Sequence, residues 1–86
     1  MTAPLQVGRR VYPDAQGHLS LREGDYGRDE RGVWIVRPPG RNAGSIPLHE
    51  VVEHGDGTIT VSPSILLTDV DGQWHGYLEH GVWREA

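Results

Sequence analysis

The side chains able to do chemistry here are five histidines, the serine that follows Pro63, and a set of arginines. His18, His49, His54, His75 and His80 could hold a metal, because imidazoles joined by a carboxylate can bind zinc. Their spacing argues against it. His49/His54 and His75/His80 are each five apart, and in a continuous strand such a pair points to opposite faces. A site built across strands, for example His54 with His75, is the form left open. Ser64, within Pro63-Ser64-Ile65, could act as a nucleophile with His75 as base and Asp56 or Asp69 as the acid. No Gly-x-Ser-x-Gly elbow or oxyanion-hole signature accompanies it. The expectation is that the Ser64 hydroxyl closes its own turn, with His75 as a polar cross-strand partner. Asp69-Val70-Asp71-Gly72 is a fragment of a calcium loop, and hairpin-turn chemistry accounts for it better.

The basic residues are the second group. All eight are arginine. Without lysine, no side-chain amine is available for a Schiff base, acylation or isopeptide linkage. Arg37 and Arg41, flanking a Pro/Gly-rich stretch, could grip phosphate or an acidic partner, and Arg9, Arg10 and Arg84 could extend the patch. Twelve acids against these bases leave a formal charge of -4. No aromatic stacking motif of an RNA-binding fold is present, so nucleic-acid binding is not expected. Trp34, Trp74 and Trp83 are the third group. Parity with Leu78 makes Trp74 a core residue. Trp83, near the end of the chain, is expected at a surface or edge, where it covers the sheet or anchors a partner.

These side chains need elements to carry them, and alternation supplies the elements. Arg9–Tyr12 and His18–Arg22 read as short strands, the second half-buried. Residues 23–32 hold three glycines among charged residues and read as an exposed, mobile loop. Val33–Val36 reads as a central strand covered on both sides, and residues 38–45 as a second long loop. For 46–54 a helical face (Leu48, Val51, Val52) competes with a strand, and the hairpin signal that follows favours the strand. Gly55-Asp56-Gly57, Asp71-Gly72 and His80-Gly81 are hairpin turns. They separate Thr58–Ser62, Ile65–Thr68, Gln73–Glu79 and Val82–Arg84. Pro63 ends the first of these four. Trp74, Gly76 and Leu78 share one face of the third, and His75, Tyr77 and Glu79 the other.

The sum is an all-β domain over residues 9–86, preceded by a flexible arm over 1–8. It is a small antiparallel meander, a curled sheet or open barrel of about six or seven short strands. The expected core is Leu19, Leu21, Val33, Ile35, Leu48, Val51, Ile59, Val61, Ile65, Leu67, Trp74, Leu78 and Val82. A core this small in 86 residues gains from oligomerisation or from docking on a partner. No cysteine is present, which excludes disulfide frameworks, thiolate metal sites and cysteine nucleophiles. No apolar run approaches the ~20 residues of a membrane span. The first five residues show no basic start followed by an apolar stretch, so export is not expected.

The second half carries a resemblance. Asp56, Gly57, Ile59, Pro63, Ser64 and Ile65 form a DG-x-I-x-x-x-P-S-I turn. His75, Leu78, Gly81 and Trp83 then form an H-x-x-L-x-x-G-x-W hairpin. Over roughly residues 46–84 this resembles a family of small phage and prophage proteins of unknown function. Many members of that family carry cysteines upstream and one just before the hairpin histidine, suggesting a zinc site. Trp74 stands there in this chain, a cysteine-free variant. The resemblance implies a phage-type accessory protein, located in the virion or in the cytoplasm of the bacterial host.

The leading expectation is therefore a non-enzymatic protein that binds another protein, of the host or of the virion. It would use Arg37, Arg41, Trp83, Ser64 and His75, with no cofactor and no metal, and could also associate with itself. The alternative is a metal-binding or nucleic-acid-associated module built on His75 and its neighbours.

Overall fold

Turn chemistry divides the chain. Thr58 N–H and Oγ1–H donate to Asp56 Oδ1 at 3.0 and 2.6 Å, and Asp71 N–H donates to Asp69 Oδ1 at 2.7 Å. Such aspartate-closed turns need no long-range partner. At His80-Gly81 both φ angles are positive, 49° and 76°, the backbone that suits the right-handed twist of a two-residue hairpin.

The computed structural model describes residues 5–86. In chain order its strands are β1 (Gln6–Val7), β2 (Arg9–Arg10), β3 (Asp25–Arg28), β4 (Trp34–Val36), β5 (Gly44–Ser45), β6 (Glu50–Glu53), β7 (Ile59–Ser62), β8 (Ile65–Asp69), β9 (Gly72–Glu79) and β10 (Val82–Glu85). No helix occurs among the described residues, and so none long and apolar enough to cross a membrane. One four-stranded sheet runs β1-β10-β9-β8, a second runs β2-β3-β4-β5, and β6-β7 form a separate hairpin. All pairs are antiparallel except β2 with β3. None of the sheets closes into a barrel. The all-β expectation holds, with ten strands in place of six or seven.

The core lies where the three sheets meet. Tyr26, Val36, Ile46, Ile59, Val61, Ile65, Trp74, Leu78 and Trp83 are buried there. Trp74 and Trp83 pack edge to face, their centroids 5.5 Å apart and their planes at 84°, a favoured aromatic geometry. Main-chain bonds stitch the units together: Gly81 N–H donates to Ile59 O at 2.9 Å, and Gly8 N–H to Gly81 O at 2.7 Å. Arg10 braces the second sheet against the hairpin. Its guanidinium stacks on Trp34 and Tyr12, and Nη1 reaches Glu53 Oε2 and Gly57 O at 3.2 Å each.

Several expectations are corrected. The segment 23–32 is not a mobile loop, because its centre is β3, with Asp25, Tyr26 and Gly27 buried. Asp25 explains this. Its carboxylate accepts Arg9 Nε at 3.2 Å, Arg9 Nη2 at 2.9 Å and the Arg22 amide at 2.9 Å. Burial alone pushes this carboxyl up. The hydrogen bonds from Arg9 and Arg22 and the charges of both arginines outweigh that and hold it below the usual carboxylate range. His18–Arg22 is not a strand. The amides of Gln16 and His18 donate to Asp14 Oδ1, and Arg37 Nη1 takes Leu21 O, so local and side-chain bonds replace a ladder. In the expected arm, residues 1–4 lie outside the described residues, while Gln6 and Val7 add a strand to β10. The loop 38–45 contains the short strand β5. Leu48, expected in the core, is 95% exposed. The chain turns there, and it is Ile46 that packs inward.

Candidate functional site

The strands β8, β9 and β10 give the first sheet two unlike faces. Along β9, Trp74, Gly76 and Leu78 point inward, as alternation requires. The registers then set the outer face. Leu66 lies opposite His75, Arg84 opposite Tyr77, Val82 opposite Glu79 and Val7 opposite Val82. Among the described residues no other element covers this side. Val7 is 81% and Leu66 55% exposed, and Tyr77 and Val82 are half-buried.

At its centre the Arg84 guanidinium lies 4.1 Å over the Tyr77 ring, and Arg84 Nη2 donates to Glu79 Oε1 at 3.0 Å. The arginine is thus held over the aromatic face with 46% of its side chain still exposed to solvent. Next to Tyr77, at 6.3 Å between ring centroids, is His75. His75 Nε2 and Ser64 Oγ are 2.9 Å apart. His49 Nε2–H donates to Ser64 O at 3.0 Å, and this fixes the His49 tautomer.

The structure therefore brings two of the sequence-derived residues together, Ser64 and His75. The acids considered for them lie elsewhere. Asp56 closes the β6–β7 turn and lies 3.7 Å from His80. Asp69 is bonded to Asn42 Nδ2 at 3.0 Å and to Asp71 N–H. Ser64 and His75 make a polar cross-strand contact, with no third group orienting the imidazole among the described residues. The other histidines are dispersed as well. His54 stacks on His80, with centroids 3.9 Å apart and planes at 1°, and His54 Nε2 bonds Thr60 Oγ1 at 2.7 Å. Among the described residues no three His, Asp or Glu side chains gather as a metal site.

The remaining candidates are placed apart from this face. Arg37 is used inside the fold, where Nε donates to Arg41 O at 2.8 Å and Nη1 to Leu21 O at 3.0 Å. Arg41 Nη1 reaches Asp71 O at 3.3 Å, at the far end of β8 from Ser64. Trp83, expected at a surface or edge, is 2% exposed, and its Nε1–H donates to Gly24 O at 2.9 Å. It is a core residue, because parity opposite Leu78 turns it inward and the carbonyl of Gly24 satisfies its one polar atom. From the sequence, Tyr77 was placed only on the outer face of its strand and Arg84 only as an extension of the Arg37/Arg41 patch, not as a pair. Their signal was present: the two-residue turn at His80-Gly81 pairs 77 with 84 by counting. Comparison of the chain with protein-family models, with curated proteins and with solved structures finds no match in any of the three.

Proposed function

We propose that this protein acts by binding another protein, not by catalysis, and that the outer face of the β1-β10-β9-β8 sheet is the binding surface. One observation carries the reading. A solvent-facing side of a sheet usually bears polar residues, yet this one bears Val7, Leu66, Tyr77 and Val82 around an arginine stacked on the tyrosine. Tyrosine and arginine are enriched at interface centres. Because Arg84 is already ordered on Tyr77 and Glu79, less side-chain freedom is lost on binding. Ser64 and His75 extend the same surface with polar groups suited to a rim.

The resemblance of residues 46–84 to small phage proteins supplies two classes of partner, a virion protein or a protein of the bacterial host. The test is capture and titration with the immobilised chain, Tyr77→Ala and Arg84→Glu, against purified virions and host lysate. One partner held stoichiometrically by the natural chain should lose affinity by about 30-fold or more in each variant, the effect of truncating an interface hot spot. Near-ultraviolet circular dichroism of the tryptophans should show the natural fold in both variants. Equal retention of the partner by both variants would remove this face from consideration. Stoichiometric zinc lost on His75→Ala would instead favour a metal-binding module.

A further inference from the structure

A sheet edge with unpaired main-chain groups pairs with another strand unless something blocks it. Most edges of this fold are blocked. The strands β1, β2 and β5 are two residues long. The strand β6 has a glutamate at each end, and Glu53 is ion-paired to Arg10 and Arg28. The free side of β7 is capped by the β9–β10 turn, through Gly81 N–H on Ile59 O and His80 N–H on Thr60 Oγ1, each at 2.9 Å.

The edge at β8 differs. It is the outermost strand of its sheet, five residues long, and reads Ile-Leu-Leu-Thr-Asp without proline or basic residue. Asp69 lies opposite Gly72 across a two-residue turn. Ladder alternation then directs the main-chain groups of Ile65, Leu67 and Asp69 toward β9, and those of Leu66 and Thr68 away. Beyond the β8–β9 ladder, Leu66 and Thr68 make no main-chain hydrogen bond among the described residues.

We propose that β8 pairs antiparallel with β8 of a second copy of this chain, about a twofold axis at Leu67. The two four-stranded sheets then continue edge to edge. In this register Leu66 of each chain exchanges both main-chain bonds with Thr68 of the other. The ends match too. Val70 falls opposite Ser64 of the copy, and Ser64 O is held by His49, next to Leu48. Val70 and Leu48, 97% and 95% exposed, are the two most exposed large apolar side chains among the described residues. The twofold sets Val70 of each chain at the end of the junction where His49 and its neighbour Leu48 of the other chain lie. The same operation sets the acidic end of β8, Asp69 and Asp71, toward the end flanked by His49 and His75. A parallel pairing would instead put Asp69 beside Asp69 and leave the aliphatic pairs apart.

Sedimentation equilibrium of the full chain from about 1 μM to about 1 mM tests this, a range suited to a contact smaller than a standard interface. A concentration-dependent dimer is expected. Thr68→Pro removes an outward N–H that β9 does not use and, by symmetry, two of the four bonds. It should weaken the dimer roughly tenfold to a hundredfold. Leu66→Arg, which keeps every main-chain group, should do the same, with near-ultraviolet circular dichroism of the tryptophans confirming the fold. Hydrogen exchange at the Leu66 and Thr68 amides should slow at high concentration. Tyr77→Ala should leave the dimer intact, so the proposal stands or falls apart from the sheet-face reading. A chain monomeric throughout the range, or a dimer that survives both β8 variants, would overturn it.

Discussion

Asp25→Asn is the perturbation that most directly tests why β3 exists. Asp25 is 3% exposed and accepts three hydrogen bonds, two from Arg9 and one from the Arg22 amide. Asparagine keeps the size and one oxygen. Its amide group replaces the other acceptor, so donor faces donor at Arg9. Hydrogen bonds to a charged group contribute about 1.5–3 kcal/mol each and are not additive. Arg9, with 64% of its side chain exposed, can turn to water, so the loss stays below the ~3–5 kcal/mol of breaking a fully buried pair. The expected cost is about 2–3 kcal/mol at neutral pH, a fall in Tm of about 10–20 °C for a domain of this size. The pH dependence gives an independent check. The folded-state pKa of Asp25 is depressed: burial opposes the shift, and the hydrogen bonds and charges of Arg9 and Arg22 outweigh it. A depressed carboxyl stabilises the fold above its unfolded value of about 3.9, and that contribution is lost as pH falls through the folded value. The gap between natural chain and variant should therefore narrow below about pH 4. The acid decline should persist in the variant. Asp29, held down first by the Val33 amide, and Asp56, held down first by the Thr58 hydroxyl, still titrate in it. Urea unfolding followed by tryptophan fluorescence at about pH 7 and about pH 2.5 measures both effects. A cost under about 0.5 kcal/mol at pH 7, or a gap as wide in acid as at neutrality, would refute the argument.

Two further changes probe the same architecture. Gly27→Ala places a Cβ 2.4 Å from the Val11 carbonyl oxygen and 3.0 Å from Leu19 Cδ1. Because backbone cannot yield as a side-chain tip can, the variant should lose about 1–3 kcal/mol in a urea titration, and a loss near zero would mean that Val11 and β3 are not so closely apposed. Trp83→Phe keeps an aromatic in the core but leaves Gly24 O with only the Arg9 amide at 3.2 Å. It should cost about 1–2 kcal/mol of stability and leave partner affinity unchanged, whereas a selective loss of binding would return Trp83 to the interface.

What the sequence alone determined lies mostly in the last forty residues. Asp56-Gly57, Asp71-Gly72 and His80-Gly81 are turns closed within a few residues, the first two by their aspartates and the third by the pairing of Glu79 with Val82. Their positions then set the register of every strand between them. Parity did the rest: Ile59, Val61, Ile65, Trp74 and Leu78 were expected inside and are inside, because a side chain on a strand between two fixed turns has only two faces to choose from. Tertiary structure decided the first half. Asp25-Tyr26-Gly27-Arg28 has the composition of an exposed loop, and no local pattern marks it as a strand. It is buried because Arg9, sixteen residues away, neutralises Asp25, and because Gly27 admits the Val11 carbonyl. Trp83 was misplaced for a related reason. Its inward side was implied by Leu78 across the turn, but the burial depends on the carbonyl of Gly24, fifty-nine residues earlier. The outer face divides the same way: alternation put His75, Tyr77 and Glu79 on one side of β9, while Val82 was expected in the core and Val7 in a flexible arm, and only the arrangement of the three sheets set both beside Tyr77 with no other described element over them.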